Sequence, residues 1–118
     1  MIIIVDYGLG NLASIQNMLK YLGVTNVKIS SDINEINNAK KIILPGVGSF
    51  DHGMNNLKKF GLIDVLNKKA LADKIPFLGI CLGMQLMTKS SEEGKLKGLG
   101  WFDAETKKFN ISKDLKVP

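Results

Sequence analysis

The sequence predicts an α/β fold, an open and mostly parallel sheet with flanking helices, from three observations. Apolar runs of strand length alternate with stretches of helical spacing, a βαβα rhythm. The leading runs are apolar throughout, as in strands buried on both faces. Three glycine-bearing segments, "DYGLGN", "PGVGSF" and "GICLGM", follow strand-like runs, and loops at the carboxyl ends of parallel strands are where ligands bind.

The elements follow in order. "IIIV" (Ile2 to Val5) reads as a doubly buried strand. Leu12, Ile15, Leu19 and Leu22 then recur at helical intervals until Gly23 stops the helix. "VKI" (Val27 to Ile29) is a short second strand, and Ser31 or Asp32 can cap a short helix carrying Ile33 and Ile36. "KIILP" supplies a third strand. A helical region follows with Leu57, Phe60, Ile63, Leu66 and Leu71 as its apolar positions and Gly61 as a break. Pro76 opens a fourth strand, "FLGI", which runs into Cys81 and a helix holding Leu82, Leu86 and Met87. "GLGWFDAETKKFNI" reads as a loop followed by one or two strands.

Composition narrows the function. The 118 residues are 45% hydrophobic and 23% charged, enough for one substantial core and one domain. No apolar run approaches membrane length, which argues against a membrane protein and for a cytoplasmic one. A single cysteine allows neither an internal disulfide nor a four-ligand zinc site, so any special role for Cys81 is chemical, and no metal or other cofactor is expected. The net charge of +5 comes from lysine alone, largely in scattered pairs such as Lys40-Lys41 and Lys68-Lys69. Without arginine forks or interleaved aromatics, these pairs read as solvated faces and no nucleic-acid partner is expected.

Two loops carry chemical signals. Gly8-Leu9-Gly10-Asn11-Leu12-Ala13 fits G-x-G-x-x-A between a strand and a helix, with Asp32 near the place of a ribose-binding acid. A tight βα turn explains the same glycines. "GICLG" has the shape of a nucleophile elbow, G-x-C-x-G, whose small residues permit a sharp strand-to-helix turn projecting the thiol above the sheet. A helix start beside sulfur favours a nucleophile. The Leu82 N–H and the "PGVG" backbone could donate to an oxyanion formed when sulfur attacks an acyl carbon. Gln85 lies one helical turn beyond Cys81 on the same face. It either reaches a substrate amide or is an exposed polar residue, and Glu93 in "SSEEG" is either a site residue or a solvated charge.

Read together, "DYGLGNLASI", "LPGVGSFDHGM", "PFLGICLGMQLM", "SEEG" and "GLGWFDAE" resemble the N-terminal part of the glutamine amidotransferase (glutaminase) subunits of imidazole glycerol phosphate synthase, within the class I triad-type glutamine amidotransferases. The resemblance implies that residues 1–118 are the N-terminal part of a single glutamine amidotransferase domain. It implies a glutaminase whose cysteine attacks the carboxamide of glutamine, with the ammonia consumed by a cyclase/synthase partner subunit. Cys81 matches the nucleophile, Val47, Gly48 and Leu82 the oxyanion region, and Gln85 and Glu93 the glutamine-binding side chains. Tyr7, Gly8, Gly10 and Asn11 match a loop that lies towards the synthase interface. His52, the sole histidine, does not match the family's base. That base and its glutamate lie further downstream in the family, so the chain is expected to be truncated at its C-terminus and inactive alone. Alternative readings are a sister amidotransferase for surface-sugar amination, a non-catalytic synthase-binding module, and a dinucleotide-binding half-domain.

Overall fold

The computed structural model describes residues 1–109. The elements are β1 (Ile2–Val5), α1 (Leu12–Tyr21), β2 (Val27–Ser30), α2 (Ile33–Asn37), β3 (Lys41–Leu44), α3 (Phe50–Lys59), α4 (Ile63–Asn67), β4 (Phe77–Gly79), α5 (Leu82–Leu86), β5 (Ser90–Ser91) and β6 (Glu105–Thr106). Four strands form one parallel sheet in the order β2-β1-β3-β4, with Ile4 opposite Ile29 and Ile43, and Ile43 opposite Leu78. The predicted α/β class is therefore present. β5 and β6 make a separate parallel pair. The end of the predicted final strand segment, Asn110 and Ile111, lies outside the described residues, as does "DLKVP".

Alternation along the strands divides the sheet into two faces. Ile3, Val5, Ile42 and Leu44 enter the main core with Ile36, Phe50, Leu57, Leu62, Leu66, Leu82 and Leu86. The opposite face is covered only in part. No residue of α1 is buried, and Ile15, Met18, Leu19, Ile43, Leu78 and Ile80 line an open apolar cavity of about 350 Å³.

Helix starts follow their capping residues. Asn11 accepts the Ser14 N–H, Asp32 the Glu35 N–H and Ser49 the His52 N–H. The predicted break at Gly61 separates α3 from α4, but the segment after α4 departs from the expectation. It continues as a π-helical turn, Lys68–Ala72, whose wider winding changes the face presented to the core. Leu71 is left exposed while Lys69, read from sequence as solvated, is buried. The Lys69 Nζ donates to the Asn37 carbonyl at 2.8 Å and pairs with Asp73 at 3.0 Å. That ion pair, with Lys68 adding to it, holds the Asp73 carboxyl below its ordinary range.

The "GLGWF" loop closes the carboxyl end of α5. Leu99 N–H donates to the Leu86 carbonyl at 2.7 Å and Trp101 N–H to the Met87 carbonyl at 2.9 Å, partnering groups that a helix end leaves open. Trp101 packs edge-on against Phe77 and donates from Nε1 to Asn67 at 2.7 Å.

Candidate active site

β1, β3 and β4 end side by side, so the loops after them meet above the sheet. At the end of β4, the Ile80 N–H donates to the Leu44 carbonyl at 3.0 Å, and the chain then reverses through Cys81 at φ 53, ψ −117. This conformation costs a non-glycine residue about 1–3 kcal/mol and is the strained turn of a nucleophile elbow. The two flanking glycines explain how the turn closes. A Cβ at Gly79 would stand 2.7 Å from the Met84 Cα, and one at Gly83 would overlap the Leu44 carbonyl oxygen. Their absence lets α5 fold back directly over β3 and β4. Cys81 is a free, exposed cysteine.

The "PGVG" loop lies against the start of α5, with Pro45 and Gly46 buried and Val47 and Gly48 exposed. The Leu82 N–H, expected to face a substrate, instead donates to the Gly46 carbonyl at 3.1 Å. Gly46 comes this close because it has no side chain. A Cβ there would overlap the Tyr7 hydroxyl and stand 3.2 Å from the Leu82 Cβ.

Tyr7, expected on a partner-facing loop, has a fully buried side chain beneath "PGVG" and donates from its hydroxyl to the Pro45 carbonyl at 2.5 Å. Its neighbours differ: Gly8 and Asn11 are exposed and Gly10 is partly so, packed on Gly46. The Tyr7 carbonyl accepts from the Asn56 side chain at 2.9 Å. Burial, with the charge of Cys81 as a smaller contribution, raises the Tyr7 phenol well above its ordinary pKa near 10.

Gln85 and Glu93, separated by a helix end and a short loop, line one cavity of about 430 Å³ together with Ser91, Thr106 and Lys107. Cys81 is not among its lining residues. The pairing of β5 with β6 brings Thr106 and Lys107 to this wall, a junction with little local signature because each strand has only two residues.

Asp51 is a further residue that sequence reasoning missed. Its carboxylate accepts the backbone N–H groups of Lys95 and Leu96, each at 2.9 Å, which lower its pKa, Leu96 first and Lys95 next. An acid in the first turn of α3 reads from sequence as a favourable helix-dipole residue, and nothing local reveals the distant loop. His52 is exposed on the same turn. Asp32 and Asn11, the polar residues of the possible dinucleotide fingerprint, both serve as helix caps. Among the described residues, no group of three or more His, Cys, Asp or Glu side chains could hold a metal ion, and no helix is long and apolar enough to cross a membrane.

A family model described as "Glutamine amidotransferase class-I" matches residues 3–115, and the chain belongs to that family. It is 58% identical over its whole length to "Imidazole glycerol phosphate synthase subunit HisH 2" of Methanococcus maripaludis, covering 58% of that protein. It is 48% identical to the subunit of the same name from Pseudomonas aeruginosa, again covering 58% of it. The chain thus spans a little under three fifths of the length of these curated relatives. A solved structure described as "Crystal structure of glutamine amidotransferase" matches with a TM-score of 0.74 at 21% identity, over 95% of this chain and 59% of that one, a likeness of fold.

Proposed function

We propose that the chain carries the nucleophile and the glutamine-recognition wall of a cytoplasmic glutaminase, which passes ammonia to a synthase subunit making imidazole glycerol phosphate in histidine biosynthesis. The observation that carries this reading is Cys81, exposed at φ 53 on an elbow that two close-packed glycines make possible. The cavity shared by Gln85 and Glu93, and the names of the relatives, support the substrate and pathway.

In this reading, Gln85 and Glu93 hold the amino-acid end of glutamine while the Cys81 sulfur attacks the side-chain carboxamide carbon. The C–N bond breaks, ammonia leaves with a delivered proton, and water cleaves the resulting thioester to glutamate. The exposed Val47 and Gly48 contribute to the oxyanion site. Leu82 N–H joins them once the Gly46 carbonyl gives it up, which makes the "PGVG" loop a moving part of the chemistry. Acyl transfer through sulfur calls on no cofactor. The loop of Gly8, Gly10 and Asn11 faces the synthase partner, and Tyr7 supports that loop from within.

No histidine of the 118 residues matches the family's base, so the chain alone is expected to turn over glutamine at the assay floor, several orders of magnitude below a complete enzyme. Ammonia release should be followed for the chain alone and for the chain mixed with a separately expressed segment matching the relatives' remaining length and with the synthase subunit. Recovery that is lost in Cys81→Ala and kept in His52→Ala is the expected result. Synthase binding with no recovered hydrolysis would favour the non-catalytic module, and activity of the chain alone that vanishes in His52→Ala would make His52 the base.

A further inference from the structure

We infer that Asp51 is a positioning residue for glutamine recognition, acting by fixing the loop that carries Glu93. The inference rests on the glutaminase reading and adds to it a residue outside the cavity wall. Three observations converge on it. The Asp51 carboxylate receives both the Lys95 and the Leu96 backbone N–H at 2.9 Å, a two-amide clamp immediately after Glu93 and Gly94. Gly94 leaves room for this clamp, since a Cβ there would stand 2.5 Å from the Asp51 Oδ1 and 3.1 Å from the Phe50 ring. On the other side of Glu93, its own N–H donates to the Ser91 hydroxyl at 3.2 Å and the Glu92 N–H to the Thr106 carbonyl at 3.0 Å. Glu93 is therefore tied down from both flanks, and Asp51 is the flank supplied by another element.

The placement gives this tie a functional direction. Asp51 is the second residue of α3, two positions beyond Ser49 and three beyond Gly48, so one short stretch ends the "PGVG" loop and also anchors the Glu93 loop. A carboxylate suits the task because both of its oxygens accept and neither donates. An asparagine would turn one N–H acceptor into a donor facing another donor. Loss of the clamp frees Glu93 without touching Cys81, so the effect falls on binding of the amino acid and not on the reactivity of sulfur.

The test measures equilibrium binding of L-glutamine to Cys81→Ala chains by titration calorimetry, with Asp51→Asn, Glu93→Gln and the double variant in that background. Asp51→Asn is expected to weaken binding about tenfold, equal to about 1.4 kcal/mol, and to have little further effect once Glu93 is already glutamine. Amide hydrogen exchange supplies the second readout, with Lys95 and Leu96 losing protection in Asp51→Asn while β1 and β3 keep theirs. Unchanged binding in Asp51→Asn, or losses that simply add in the double variant, would overturn the inference, as would unchanged protection at Lys95 and Leu96. Absence of glutamine binding in the Cys81→Ala parent would instead overturn the glutaminase reading on which it stands.

Discussion

Tyr7 shows how much a single side chain contributes beneath this site. Its hydroxyl occupies the space that a side chain at Gly46 would take and bonds to the Pro45 carbonyl, so removing it in Tyr7→Phe should cost about 1 kcal/mol at neutral pH. The pH dependence adds a separate signature. The folded phenol has a raised pKa, so above the ordinary value near 10 the unfolded chain releases a proton that the folded chain retains. This stability is complete below pH 10 and is lost as pH rises beyond it, at up to about 1.4 kcal/mol per pH unit. Urea midpoints of the parent and Tyr7→Phe between pH 8 and 11 should converge at the alkaline end, and parallel profiles would contradict the buried phenol. Lys69 makes a second residue-level prediction. Asp73→Asn leaves a buried ammonium without its counter-charge, and should lower the melting temperature more than Lys68→Met, which removes an exposed partner of the same carboxylate.

At the scale of elements, the elbow depends on backbone contact between α5 and the ends of β3 and β4. Gly83→Ala would drive a Cβ into the Leu44 carbonyl, and is expected to destabilise the fold by on the order of 3 kcal/mol or more, read as a shift in the denaturation midpoint. The elbow was legible beforehand because its signal is local: a strand-length apolar run, then glycines two residues either side of Cys81. The four strands of the main sheet, the α3 and α4 break at Gly61 and the cap at Asp32 were legible for the same reason. Features made by distant segments were not. The Leu82 N–H is taken by Gly46, Tyr7 turns inward, and Asp51 clamps Lys95 and Leu96 across more than forty residues of chain. The π-helical turn was hidden too, since Leu71 continued the apolar spacing that an ordinary helix would have buried.

At the scale of the whole molecule, one face of the sheet carries the main core and the other is covered only in part. Leu78, Ile80 and Met18 stay exposed around the apolar cavity beside α1, and β4 is an edge strand among the described residues. The isolated chain is therefore expected to self-associate as its concentration rises, and sedimentation of Leu78→Lys should show this reduced. The same molecule presents its reactive end at the carboxyl edge of the sheet, where the loops after β1, β3 and β4 converge on Cys81. The central claim is that this end recognises glutamine and places its side-chain carbonyl carbon at sulfur. It is tested most directly by alkylation with a chloroketone analogue of glutamine, in which sulfur displaces chloride and no general base is required. The account predicts a single adduct mapped to Cys81, a rate that saturates with reagent concentration, and protection by L-glutamine. A rate that rises linearly without saturation and is indifferent to glutamine would contradict it.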